Sequence, residues 1–345
     1  MKPGVTAAIV IGILVLIAAI VVPIVLSTSS KQEHHVDTIV FGVSPHDILV
    51  STDGAKTTIA PTKPPFANSY IYSIIYNGSQ FFAVNGNSLS TSVDGMTWST
   101  PTSFANQLSM IFLGSAGPGK RLLAGGTNGP AGDSVILYSD DNGLTWSENR
   151  LVGGSKNFVD LTYAGKGTWW AFNGNIFKST DNGLTWSTIK THSSDEKLYY
   201  KKVIVHKSQC FALSQYPSTV FSPGRIFMSS DGGVKWSSTY EYANSSQDTI
   251  DDMVTNNSVI LCITKQLRIL ISKDNGKNWT PLTPFNVSFK VDSTFITWTG
   301  SQFIVLLKTF TYSIPTHTQV YTSKDGYTWT SAVSSSQVFA AVAEK

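Results

Sequence analysis

Seven aspartates recur 40 to 51 residues apart, and their carboxylates are the first groups in the chain that could do chemistry: Asp53, Asp94, Asp141, Asp181, Asp231, Asp274 and Asp325. Such groups could ligate a cation or act as acids. A calcium loop of the EF-hand type needs several further oxygen ligands and a distal Glu, which are absent around these positions. Each carboxylate is instead succeeded by glycine and, in six copies, tryptophan: Trp98, Trp146, Trp186, Trp236, Trp279 and Trp329. Glycine takes positive φ without steric cost, and Asp bonds nearby backbone N–H groups. Tryptophan supplies a large apolar body whose N–H needs a partner. The aspartates therefore read as struts of a turn, and no metal or cofactor is expected.

The full form of the stretch around them is Ser139 to Trp146 (SDDNGLTW), repeated at Ser179, Ser229 and Ser272. It is one residue shorter at Ser92 to Trp98 and Ser323 to Trp329. A worn copy, Ser51 to Thr57, has lost its Trp. Short apolar runs precede the copies and Ser/Thr-rich runs come after them, the pattern of two strands joined by a tight turn. Upstream of each copy come two further strand-like runs joined by Gly-containing turns, such as Gln302-Phe-Ile-Val-Leu-Leu after Thr299-Gly-Ser. Each unit is then four strands in roughly 44 residues, the size of a propeller blade.

This repeat resembles the Asp-box, or BNR repeat, of sialidases, sortilin-type receptors and photosystem II assembly propellers. The resemblance implies that the box joins the third and fourth strands of a blade, away from the central binding face. An all-β, seven-bladed propeller of four-stranded Asp-box blades is the expectation, spanning residues 37–345. The first unit starts at Thr38 without a first strand, while Ser336-Gln-Val-Phe-Ala-Ala-Val-Ala is a strand left over at the other end. That tail is expected to complete the first blade from inside and close the ring, which removes open edges.

A sialidase-like hydrolase, the sharpest function the resemblance implies, needs three converging arginines, a Tyr–Glu nucleophile pair and an acid/base Asp. The chain has only Arg121, Arg150, Arg225 and Arg268, and no Arg-Ile-Pro motif. Arg225 and Arg268 each lie four residues before a box Ser, so they occupy equivalent places in neighbouring units. No catalytic residue is assigned, and a binding or structural module that takes a glycan or protein ligand is preferred over the hydrolase. An assembly factor for a membrane protein complex is the lesser alternative. Long loops often carry function. Here they are 125–133, 215–224 and 309–318, and Tyr216, Phe221 and Tyr312 are the candidate ligand residues. Trp169-Trp170 should send its rings to different layers, with a sugar-stacking platform as the alternative.

Residues 5–26 form an uncharged apolar run of 22 residues, enough to cross a bilayer as a helix. Lys2 in the short 1–4 tail favours a cytoplasmic N-terminus. The expectation is a single-pass type II anchor, a polar stalk at 27–36 and an extracytoplasmic propeller at the cell surface, in a secretory lumen or on a viral envelope. Secretion after cleavage of a signal peptide is the alternative. Asn77, Asn244, Asn256 and Asn286 lie in N-x-S/T sequons and are candidate glycosylation sites, and Asn278, inside a box, is the least suited. Net charge is only +3 with no basic run, so nucleic acid is not an expected partner. Cys210 and Cys262 sit in apolar runs and read as buried thiols, with a disulfide as the alternative.

Overall fold

The computed structural model describes residues 38–44, 47–66, 71, 73–104, 108–115, 121–128, 133–150, 160–173, 175–190, 199–215, 224–241, 249–291, 293–311, 314–335 and 338–344. The proposed anchor at 5–26, the stalk, Tyr216, Phe221, Tyr312 and Asn244 lie outside them. Among the described residues, no helix is long and apolar enough to cross a membrane.

The unit that spans Asp37–Lys345 is an all-β propeller. Each of the six complete sequence units folds into one antiparallel four-stranded sheet whose strands pair in chain order. Sheet six illustrates the pattern: Ile250–Thr255, Ile260–Thr264, Ile269–Ser272, then Thr280–Leu282. Its second and third strands are buried along their whole length, as sheets covered on both faces require.

Four-stranded blades therefore number six, not the seven expected. The first unit gives a three-stranded sheet, with Ile39–Ser44 between Asp47–Ser51 and the C-terminal Val338–Glu344. Its fourth strand is reduced to one bridge, in which Val50 and Ile59 exchange both backbone hydrogen bonds at 2.8 Å. The chain then leaves toward the second box, where Lys63 pairs beside Thr97. Pro61, Pro64 and Pro65 in this stretch cannot donate to a ladder, which explains why no strand forms.

The C-terminal strand pairs with Ile39–Ser44 over its length, from Ile39 opposite Glu344 to Ser44 opposite Val338. It also lies against the first strand of sheet two and against the second and third strands of sheet seven. Apolar clusters fill every junction between successive sheets. The junction of sheets seven and one is included, where Ile304, Leu306 and Val320 meet Ile39, Phe41 and Ala55. Trp169 packs between sheets three and four and Trp170 between sheets four and five. Both rings are buried, so neither forms a sugar platform.

Candidate functional site

The box residues build one corner seven times. In the third copy Ser139 Oγ–H donates to Asp141 Oδ1 at 2.8 Å, while the same hydroxyl oxygen accepts Gly143 N–H at 2.8 Å. Asp141 Oδ1 accepts Thr145 N–H at 2.9 Å, and Oδ2 accepts the Thr145 hydroxyl at 2.5 Å. Trp146 Nε1–H closes the corner on Gly143 O at 3.0 Å. All six tryptophans repeat that bond, at 2.8 to 3.1 Å. The Thr145 hydroxyl and N–H hold the Asp141 carboxyl at about 2. The N–H and side chain of Asn278 do the same for Asp274. At Asp53 and Asp181 burial opposes the bonds, and the bonds win, again giving about 2. Carboxyls this well satisfied are ionised struts and poor proton donors.

Each box glycine also presses on the preceding sheet. A Cβ on Gly143 would meet Leu89 at 2.7 Å, on Gly233 Trp170 at 2.5 Å and on Gly95 Val40 at 2.7 Å. The first copy keeps the eight-residue frame. Ala55 stands where Gly143 does, with φ +68° and its N–H on Ser51 Oγ at 2.9 Å. Its methyl fills the junction of sheets seven and one, the one junction that receives no box indole.

Boxes share one end of the sheets with the turns between first and second strands, as Asn182 N–H donating to Gly167 O at 2.8 Å shows. The strands bordering the loops of Tyr216, Phe221 and Tyr312 finish at the other end. A charged cluster that sequence reasoning missed lies toward this end, on the first strands of sheets five to seven. Lys202 Nζ–H donates to Asp252 Oδ1 at 2.7 Å across sheets five and six. Asp252 Oδ2 accepts Ile296 N–H at 3.1 Å from sheet seven. The neighbouring Asp251 accepts the Thr294 hydroxyl on Oδ2 at 3.0 Å, also from sheet seven.

Adjacent residues of a regular strand point to opposite faces. Here the register shifts between Ile250 and Asp252, and again between Tyr200 and Lys202 in sheet five. Such bulges re-aim side chains, and this one lets both carboxylates reach sheet seven. Lys202 also sits 5.7 Å over the Phe295 ring. Burial pushes the Lys308 amine down to about 8, against the pull of Asp252. Burial likewise drives the Cys262 thiol far up, and Asp252 adds to the effect. The signal available in the sequence was the charged pairs Lys201-Lys202 and Asp251-Asp252 inside strands that otherwise carry few charges.

The remaining candidates fall elsewhere. Arg121 grips Asp140 with two bonds, at 2.7 and 2.6 Å, and donates to Asn182 O at 3.0 Å, all at the box end. Arg225 opens the third strand of sheet five at the opposite end. Asn77 is 2% exposed and its Oδ1 accepts three hydrogen bonds within its own turn. A glycan acceptor must present its amide nitrogen to solvent, so Asn77 is unsuited. Asn256 caps a turn through Ser258 and Val259 N–H groups, and Asn286 is exposed. Cys210 and Cys262 are free and buried in different junctions, and burial raises Cys210 to about 11. Among the described residues no group of His, Cys, Asp or Glu is placed to hold a metal ion.

The BNR/Asp-box repeat profile matches residues 137–148, the stretch that contains the third corner. The chain is an Asp-box repeat β-propeller. No curated protein matches the sequence significantly. Among solved structures the fold is similar to YCF48 bound to a D1 peptide, with TM-score 0.52 and 18% identity over 77% of this chain and 82% of that one. YCF48 from Cyanidioschyzon merolae gives 0.53 and 16% over 76% and 85%. The GH74 xyloglucanase of Xanthomonas campestris gives 0.56 and 11% over 77% of this chain and 45% of that one. At these identities the Asp-box propeller has likeness in fold alone.

Proposed function

We propose that the propeller is a recognition module that takes a segment of another protein at the end opposite its boxes. The observation that carries this reading is the Lys202–Asp252 cluster. It joins charges of sheets five and six to hydrogen-bond donors of sheet seven, beside the strands that border the loops of Tyr216, Phe221 and Tyr312. A similar fold solved with a peptide supports a protein ligand over a glycan. The three-stranded sheet stands as the seventh blade of the ring. Residues 5–26 anchor the chain in a membrane and keep the propeller on the extracytoplasmic side. Asn286 and Asn256 are the sequons suited to carry glycans there.

A sialidase-type clamp has less support, because Arg121 is committed to Asp140 and to a box carbonyl at the wrong end. Selection of a displayed random peptide library against the full chain tests the proposal. Selected peptides should bind Lys202→Met at least tenfold more weakly while leaving a box-end Lys166→Ala variant unaffected. Enrichment on a glycan array without peptide hits would refute the protein ligand, and turnover of a fluorogenic sialoside above a heat-killed control would refute the module altogether.

A further inference from the structure

We infer that the box end of the propeller is a shallow lipid-contacting surface that rests on an anionic bilayer. In the third, fourth, fifth and seventh copies the position after the box glycine points out of the corner, whereas Met96 of the second copy packs against the junction of sheets one and two. The N–H at this position is consumed by the aspartate, as in Leu184 to Asp181 at 3.1 Å, Val234 to Asp231 at 3.0 Å and Tyr327 to Asp325 at 2.8 Å. Nothing in the corner demands an apolar residue there, since Lys56 and Lys277 fill the same position in the first and sixth copies. Yet Leu144 is 83% exposed and Val234 76%, with Leu184 and Tyr327 also exposed. Val93, at a neighbouring position of the second box, is 61% exposed. Scattered surface apolar residues are ordinary, but these recur at the tips of one end of one repeat, the form a multi-point membrane contact takes.

Charge supports the same occupant. Lys235, Lys273 and Lys324 stand exposed beside these tips, and Lys166 and Lys207 project from the adjoining turns. The box carboxylates stay ionised but spend their oxygens on their own Ser, Thr and backbone donors, which leaves the lysines as the groups able to meet headgroup phosphates. Apolar tips interleaved with lysines suit an interface of acyl chains and anionic headgroups. A bilayer, and not a soluble partner, is the occupant because the same chain carries the 22-residue apolar run a dozen residues before its first strand. That strand begins at the box end, where Ile39 pairs with Ser51 of the first box.

The inference rests on the membrane attachment proposed above, and the experiment separates the two. The full chain is reconstituted in nanodiscs with or without phosphatidylserine. An environment-sensitive probe is placed at Leu144→Cys, Val234→Cys or, at the opposite end, Lys265→Cys. Brominated acyl chains should quench the first two probes at least threefold more than the third. Phosphatidylserine should strengthen the effect, and the pair Lys235→Glu with Lys324→Glu should weaken it. Equal quenching at all three sites, or none, overturns the inference while alkaline-resistant retention of the chain still upholds the anchor. If the chain washes off, the anchor fails, and the same probes mixed with vesicles decide the lipid surface alone.

Discussion

A glycine inside six of the seven corners is where one side chain's absence decides packing. Gly276 has φ +79°, and a Cβ there would overlap the Phe211 ring of the preceding sheet. The left-handed backbone costs an L-residue about 1–2 kcal/mol, and overpacking adds about 1–3 kcal/mol. Gly276→Ala should therefore lose roughly 2–5 kcal/mol in urea unfolding. Gly54→Ala is the control: its φ is +74°, but the nearest atom to the new Cβ is Gln302 Nε2 at 3.9 Å. Only the backbone cost remains, about 1–2 kcal/mol. Equal losses at the two sites would refute the claim that box glycines are contact points between sheets. The box carboxyls make a second residue-scale prediction. Asp141 and Asp274 are held at about 2 by Thr145 and Asn278, below the ordinary carboxylate value near 3.9. A depressed carboxyl stabilises the fold fully above its unfolded value, and that contribution drains as pH falls through the folded value. The urea midpoint should stay level from pH 7 to about 5 and fall steeply between about 4 and 2. Asp141→Asn should lower the midpoint at pH 7 and flatten that fall; a parallel fall in the variant would show that the corner charge plays no part.

Among the elements, the C-terminal strand carries the most consequence per residue. It gives Ile39–Ser44 its inner partner, and without it the first sheet keeps a two-stranded hairpin with one long open edge. Open edges of that length pair with other chains. A chain ending at Ser335 should elute as aggregate, or unfold in separate steps by calorimetry where the full chain unfolds in one. Retention of a single sharp transition would mean that the ring does not depend on closure. This element was legible in the sequence because the repeat is regular: a unit lacking its first strand and a strand lacking a unit can be matched by counting. The shortened first sheet was less legible, since the loss of a Trp does not reveal that Pro61, Pro64 and Pro65 leave only the Val50–Ile59 bridge. Less legible still was the cluster of Lys202, Asp251 and Asp252. Its partners come from other sheets, and the bulges that aim them arise from pairing register, which a single strand's sequence does not carry. Asn77 misled for a similar reason: its sequon is intact, but its side chain is spent on its own turn.

At the scale of the whole molecule, apolar junctions hold each sheet to its neighbours without regard to which sheets lie beyond them. Asp252 departs from that pattern by bonding sheets five and seven at once, through Lys202 and the Ile296 N–H. Its side chain is 10% exposed and that of Lys202 21%, so removal of either partner leaves the other poorly hydrated. The carboxylate keeps the N–H groups of Met253 and Ile296 when the lysine is removed, so the two losses should differ. Asp252→Asn leaves an ammonium without its counter-charge and should cost about 2–4 kcal/mol, whereas Lys202→Met should cost about 1–2 kcal/mol. In a double-mutant cycle the pair should couple by about 1–2 kcal/mol. The loss should also spread: hydrogen exchange at Ile296 in sheet seven should quicken in Asp252→Asn but not in Lys202→Met, because only the carboxylate accepts that backbone N–H. Additive losses with unchanged exchange in sheet seven would reduce the cluster to a surface ion pair, and with it would go the main support for placing the binding face at this end.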